Sequence, residues 1–213
     1  MMKQVRHLFW DFDGTLFDSY PEICGSFMKG LEQLGLSHLL DQKKLMQLMK
    51  GSVGHAADWC AQQSGLTREE VLAPYRVFHN QPHNDPPYEG LADCLRRLHE
   101  AGFHHYLYTH SHQSAIDQLK RENLWRYFDD AVLGSDGFPL KPAPDALLAL
   151  MARNQLSAEN CAMIGDRDID ALAGHNAGMK GILFDPEGYF PDFKPELTVR
   201  SMKELADQLL SMV

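Results

Sequence analysis

The sequence predicts an α/β fold: a parallel sheet whose strands alternate with helices, interrupted by one helical insertion. Short apolar runs rich in β-branched and aromatic residues alternate with segments of helical periodicity over most of the chain. Such alternation is typical of parallel sheets built from right-handed crossovers. Between residues 19 and 85 the alternation stops, and only helical patterns occur.

The predicted strands share a short apolar core bounded by turn-forming residues, and they cover residues 5–12, 105–109, 131–133, 161–164 and 181–184, with a weaker one at 197–199. The predicted helices between and after them carry an apolar stripe on one face and cover residues 91–98, 115–124, 145–154, 171–177 and 201–212. These elements predict one core domain formed by residues 1–18 and 86–213.

The insertion reads as a helical cap domain of residues 19–85, with helical stretches at 22–34, 41–49, 55–63 and 68–78. It ends in a proline- and asparagine-rich passage at residues 81–87, which is suitable hinge material.

Composition limits the function. The formal charge of −9 over 213 residues gives no reason to expect binding to nucleic acid or to an anionic membrane. The N-terminal residues lack the apolar core of a signal peptide, and the four cysteines are widely spaced, which predicts reduced thiols in a cytoplasmic protein. Oligomeric state cannot be read from the sequence.

Two acidic clusters follow predicted strands. Asp11 and Asp13 come at the end of the first strand, where alternation would turn both carboxylates to one side, and Gly14 allows a tight turn after them. Asp166 and Asp170 follow the strand at 161–164; a helix starting near Asp166 would place them one turn apart. Because the carboxyl ends of parallel strands meet at one edge, these oxygens predict a Mg²⁺ site. An acidic turn and a helix cap are the structural alternatives, and Asp168 would point elsewhere.

Two further residues fall at matching positions. Thr109 ends the strand at 105–109, where its hydroxyl can donate to a phosphate oxygen, and Lys141 precedes a predicted helix. Taken singly, the threonine is a packing residue and the lysine a solvated one. An acidic chain that binds phosphate must, however, create positive potential locally, with a lysine, backbone N–H groups and a cation.

In this order the four elements, DFDGT, YTH, LKP and GDRDID, resemble the motifs of the haloacid dehalogenase superfamily. The resemblance covers nearly the whole chain. The segment DGTLFDS is similar to the corresponding segment of the phosphoglycolate-phosphatase-like branch, whose helical cap is inserted at this point. The resemblance implies a Rossmann-like core and a phosphatase that acts on a small phosphorylated metabolite. The sequence departs from the pattern at His110, where asparagine is common.

The resemblance also implies roles for individual residues. Asp11 would be the nucleophile that forms an aspartyl phosphate, and Asp13 would be the general acid and base. Mg²⁺ would be held by Asp11, by the backbone carbonyl of Asp13, by Asp166 and by Asp170. The remaining expected contacts are phosphate binding by Thr109, His110 and Lys141, and substrate selection by the cap residues Lys50, Gly51 and Ser52.

Other functions stay open at this point. A sugar phosphomutase shares the superfamily, but those enzymes carry a histidine near the position of Ile23. Phosphonoacetaldehyde hydrolases need a cap lysine, for which Lys29 or Lys50 would have to serve, whereas dehalogenases lack a carboxylate at the position of Asp13. A phosphorylation-controlled binding module of receiver type would need no cap.

Overall fold

The computed structural model describes residues 5–81 and 84–212. The chain divides into two compact units, one formed by Met1–Phe17 and Pro87–Val213 and the other by Asp18–Pro86. Residues 82 and 83 of the predicted hinge passage lie outside the described residues.

The first unit contains a parallel sheet of six strands in the order β3-β2-β1-β4-β5-β6. The strands are β1 (His7–Trp10), β2 (His104–Tyr108), β3 (Phe128–Val132), β4 (Cys161–Gly165), β5 (Lys180–Phe184) and β6 (Leu197–Val199). The predicted α/β fold with a parallel sheet is therefore confirmed, including the weak strand at 197–199. Because β1 lies between β2 and β4, the segments that follow these three strands meet at one edge.

Helices cover both faces of the sheet, as parallel strands require. The core on one face, which includes Leu8 and Trp10 of β1, is completed by α5 (Leu91–Glu100), α6 (Gln113–Arg121) and α9 (Met202–Leu210). The core on the other face, which includes Phe9, is completed by α7 (Asp145–Arg153) and α8 (Asp168–Asn176). The alternation of neighbouring β1 residues between the two cores is the two-residue period of a strand.

The second unit consists of α1 (Tyr20–Gln33), α2 (Gln42–Gly51), α3 (Val53–Ser64) and α4 (Arg68–His79), and its described residues contain no strand. Its helices share their own apolar core. The packing of α1 on α4 depends on Gly30, because a Cβ there would lie 2.9 Å from the backbone nitrogen of Tyr75. Thr67 caps α4 by accepting from the N–H of Glu70 at 3.2 Å, while the Glu70 carboxylate accepts from the N–H of Thr67 at 2.8 Å.

Candidate active site

The loop after β1 places Asp11. Its N–H donates to the carbonyl of Ile164 at 2.9 Å, so contact with β4 continues one residue beyond the strand, and Asp11 is only 4% exposed. β1 ends at Trp10 rather than at the predicted residue 12, because the chain then turns. Gly14 forms that turn with a φ of +75°, and its own N–H donates to the carbonyl of Phe17 at 2.8 Å. This N–H is therefore used inside the loop.

The loop between β4 and α8 carries Asp166 and Asp170, which are both fully buried. The predicted helix start near Asp166 is wrong, because α8 begins at Asp168 and Asp166 lies in the loop. The two carboxylates nevertheless converge because the loop folds back: the Asp170 carboxylate accepts from the N–H of Arg167 at 3.1 Å. Asp168 is half-buried, and its carboxylate accepts from the N–H of the next residue.

Gly165 and Thr15 contribute to the position of the loop between β4 and α8. A Cβ on Gly165 would lie 2.2 Å from the Cβ of Asp170, so only glycine allows the close approach. The buried hydroxyl of Thr15 lies 3.5 Å from Oδ1 of Asp166 and links the β1 loop to the β4 loop. The motif positions after β1 and β4 are thus held together by contacts outside the carboxylates themselves.

Lys141 joins the carboxylates across 130 residues of sequence. Its side chain is fully buried, and its Nζ lies 2.6 Å from Oδ1 of Asp11 and 2.8 Å from Oδ1 of Asp170. It also donates to the carbonyl of Tyr108 at 3.1 Å, at the end of β2. A solvated lysine, the structural alternative, is excluded.

The electrostatics of the cluster follow from burial and from these contacts. Burial raises the pKa of Asp11 to about 7; Lys141 opposes this shift, while Asp170 and Asp166 add to it. Burial alone would lower the pKa of Lys141, but Asp11 and Asp170 outweigh it and the pKa is raised. Burial likewise disfavours ionised Asp170, yet Lys141 and Arg167 keep its pKa below the ordinary value.

The same cluster suits a divalent cation. Asp11, Asp166 and Asp170 each offer a carboxylate oxygen, and these oxygens lie within 4.8 Å of one another. Oδ1 of Asp170 is buried, and its ion pair with the Lys141 ammonium group at 2.8 Å leaves room for a second cation contact at this oxygen. Two of these three buried carboxyl groups contact the Lys141 ammonium group, and three carboxylate oxygens so close together fit oxygen coordination by Mg²⁺. The carboxylate of Asp13 is not a member of the cluster.

The segment after β2 carries Thr109 and His110. Thr109 is buried, and its Oγ1 accepts from the N–H of Ser111 at 3.0 Å, which leaves the hydroxyl hydrogen free to donate. His110 Nε2 accepts from the N–H of Lys141 at 3.1 Å. Burial, with Lys141 and Arg167, lowers the pKa of His110 to about 4, so the ring is neutral and positions the Lys141 segment. The sequence predicted a phosphate contact at His110 but not this use of its side chain.

Asp13 lies in a different environment from Asp11. It is half-buried, and its Oδ2 accepts a hydrogen bond from the hydroxyl of Ser111 at 2.6 Å. The alternation of a strand predicted that the Asp11 and Asp13 carboxylates would lie on the same side. In the structure Asp11 contacts Lys141, whereas Asp13 contacts the loop after β2.

The haloacid dehalogenase-like hydrolase family model matches residues 8–184, which include every residue of this site. The chain belongs to the haloacid dehalogenase-like hydrolase family. Its curated relatives include pyrophosphatase PpaX of Halalkalibacterium halodurans, 30% identical over 96% of both chains. A phosphoglycolate phosphatase of Vibrio cholerae is 31% identical over 83% of both chains.

A solved haloacid dehalogenase-like hydrolase from Streptococcus pneumoniae has the same fold, with a TM-score of 0.77 and 20% identity over 98% of this chain and 99% of its own. The resemblance to this family inferred from the four motifs is confirmed, and the chain is a hydrolase of the family. In the part of the chain that the structure describes, no helix is long and apolar enough to cross a membrane.

Reasoning from the sequence did not predict that Thr15, Ser111 and Gly165 contribute to the site. It also did not predict the hydrogen bond that the His110 side chain accepts from Lys141. Gly165 stands directly before Asp166 and Thr15 stands two residues after Asp13, so their positions within the motifs carried a signal. Ser111 stands two residues after Thr109, but a serine in a loop after a strand gives no sign of its partner.

The three cap residues lie in the helical unit. Lys50 and Gly51 end α2, and Ser52 caps α3 by accepting from the N–H of His55 at 2.9 Å. These residues, expected to select the substrate, therefore form a junction between two helices. The ammonium of Lys50 lies 4.1 Å from the centre of the Tyr20 ring, and Lys50 is 5% exposed. The role of these residues in substrate selection stays a prediction.

Proposed function

We propose that this hydrolase is a Mg²⁺-dependent phosphatase that releases phosphate from a small metabolite through an aspartyl phosphate on Asp11. The observation that carries the proposal is the buried contact of Lys141 with Asp11 and Asp170, beside Asp166. The arrangement combines a carboxylate nucleophile, a fixed positive charge and a cation site at one sheet edge.

In the first step a carboxylate oxygen of Asp11 attacks phosphorus, and the bond from phosphorus to the leaving oxygen breaks. Lys141 holds Oδ1 of Asp11 at 2.6 Å, which fixes the carboxylate and leaves Oδ2 for the attack. Asp13 donates its proton to the leaving oxygen. The hydroxyl of Thr109 donates to a phosphate oxygen, because its own oxygen already accepts from Ser111.

In the second step water attacks the same phosphorus, and the bond between Asp11 and phosphorus breaks. Asp13, now ionised, takes the proton from this water, and its half-buried position is compatible with the approach of water. Both carboxyl groups return to their starting states, so the cycle balances.

Mg²⁺ would be held by Asp11, Asp166 and Asp170, with the Asp13 carbonyl expected from the family resemblance. When bound, it supplies positive charge that reduces repulsion between the carboxylate and the phosphate and stabilises the transition state. The residues of the chain perform the attack and the proton transfers.

The names of the relatives suggest two candidate substrates, phosphoglycolate and pyrophosphate. We take a small anionic phosphate compound as the substrate class, and the helical unit as the cap that selects it. The four cysteines are unpaired, which supports work in the reducing cytoplasm.

The test is phosphate release by purified protein with Mg²⁺ from phosphoglycolate, pyrophosphate and a panel of sugar phosphates. Asp11→Asn should abolish release while thermal unfolding shows an intact fold, and Asp13→Asn should slow it by about 10²–10⁴. Near-normal release by Asp11→Asn would refute the nucleophile. Isomerised sugar phosphate without phosphate release would indicate a mutase instead.

A further inference from the structure

The hydrogen bond between Ser111 and Asp13 belongs to a rigid arrangement. The Ser111 hydroxyl lies 2.6 Å from Oδ2 of Asp13, across 98 residues of sequence. The backbone of Ser111 is fixed on both sides: its N–H donates to Oγ1 of Thr109 at 3.0 Å, and its carbonyl accepts from the N–H of Gly134 at 2.9 Å. The hydroxyl is therefore held in place by the segments that follow β2 and β3.

Gly134 is needed for this arrangement. A Cβ at Gly134 would lie 2.1 Å from the carbonyl oxygen of His110, so any larger residue would push the two segments apart. The separation would lengthen the hydrogen bond from Gly134 to Ser111. The close approach of the two loops thus fixes the position from which Ser111 reaches Asp13.

We propose that Ser111 is a positioning residue that holds the Asp13 carboxyl group in the orientation needed for proton transfer. The inference rests on the proposed function, in which Asp13 is the general acid and base. The terminal torsion of an aspartate is broad, so an unheld carboxyl group samples many orientations. A fixed donor on Oδ2 restricts this rotation and leaves Oδ1 to exchange the proton.

The proton inventory is simple. As the bond from phosphorus to the leaving oxygen breaks, the proton on Oδ1 of Asp13 moves to that oxygen. In the second step Oδ1 takes a proton from the attacking water. The hydroxyl proton of Ser111 stays on Ser111 and donates to Oδ2 in both steps.

The experiment compares a substrate whose leaving group needs a proton with one whose leaving group does not. An alkyl phosphate such as glycerol phosphate has a strongly basic leaving oxygen and needs a proton, whereas 4-nitrophenolate leaves without one. Enzyme in excess over substrate gives the rate of the first turnover from alcohol or nitrophenolate release. The variants are Ser111→Ala, the conservative Ser111→Thr, and Ser114→Ala as an exposed control three residues away.

For Ser111→Ala we expect alcohol release to fall by about 10- to 100-fold, the rate equivalent of one hydrogen bond to a charged group. Nitrophenolate release should fall much less, and KM should change little in both cases. Ser111→Thr should restore most of the alkyl rate, and Ser114→Ala should behave as wild type.

Equal losses on both substrates would mean that Ser111 only supports the loop, and no loss would mean that Asp13 needs no such donor. Either result overturns the inference while leaving the phosphatase proposal intact, provided that wild type turns over both compounds and Asp13→Asn slows alcohol release far more than nitrophenolate release. Absence of turnover by wild type across the phosphate panel would overturn the proposed function, and the inference with it.

Discussion

Replacing Lys141 by methionine tests the electrostatic reasoning most directly. The change keeps much of the apolar stem but removes an ammonium group that contacts Asp11 at 2.6 Å and Asp170 at 2.8 Å. Because the side chain is fully buried, water cannot replace it, and two buried carboxyl groups lose their partner. We expect Lys141→Met to abolish turnover and to destabilise the metal-free protein.

The size of the loss follows from the burial of the pair. Removing one partner of a buried ion pair costs about 3–5 kcal/mol, because the remaining charge stays desolvated. Part of the loss is recovered when the carboxyl groups bind protons. Lys141 holds the pKa of Asp170 down, so its contribution is present above the ordinary pKa of 3.8 and is lost as the pH falls below it. The difference between variant and wild type should therefore shrink in acid.

The assay is urea unfolding at pH 7.5 in chelator, repeated with Mg²⁺ and below pH 3.8. Mg²⁺ should stabilise Lys141→Met more than wild type, because the ion no longer competes with the ammonium group for the same oxygens. The control is Lys203→Met: Lys203 is paired with Asp207 at 2.5 Å, but its side chain is 80% exposed, so little change is expected. If Lys141→Met is no less stable than Lys203→Met, the buried cluster does not have the charge balance described here.

Three further predictions concern the metal, acid stability and the cap. Asp166→Ala should reduce Mg²⁺ binding in a titration and reduce turnover more than Asp168→Ala does; the reverse order would show that the wrong aspartate was assigned. Burial lowers the pKa of His105 from 6.5 to about 3. As the pH falls from 6.5 to about 3, the unfolded state binds a proton on this histidine and the folded state does not, so the free energy of unfolding should fall by up to about 5 kcal/mol. His105→Asn, which keeps an acceptor for the Trp10 indole N–H at 3.0 Å in wild type, should flatten that part of the pH profile of urea unfolding; an unchanged profile would contradict the assignment. Lys50→Ala should lower kcat/KM for the natural substrate more than for 4-nitrophenyl phosphate, and equal losses would remove Lys50 from substrate selection.

The sequence was sufficient to predict the fold class because strand and helix periods differ and the apolar runs are short. It was not sufficient for the loop that carries Asp166. The motif spacing suggested a helix from Asp166, but Gly165 and the bond from Arg167 N–H to Asp170 set a different path. The two aspartates converge in either geometry, so a correct grouping followed from an incorrect helix register.

Contacts between segments that are distant in sequence could not be predicted either, because they depend on how closely the loops approach each other in the fold. Lys141 could be proposed because it stands in a motif that resembles the family's and because an acidic chain that binds phosphate needs local positive charge. The contact between Ser111 and Asp13 has no such signal, because it depends on how closely the segments after β2 and β3 approach each other. That distance is set by Gly134, whose importance appears only when a Cβ is placed against His110.

The proposed division of work between Asp11 and Asp13 depends on their different surroundings rather than on their chemistry, which is the same. Asp11 is buried against Lys141, so it is fixed for attack and shielded from water. Asp13, two residues later, is half-buried and bound to a hydroxyl group, so it can exchange protons with a leaving group or with water. Both steps of the proposed reaction need this difference, because a nucleophile that stays ionised cannot also be the acid. The turn at Gly14 and the loops that bring Lys141 and Ser111 to the two carboxylates therefore matter as much as the aspartates themselves.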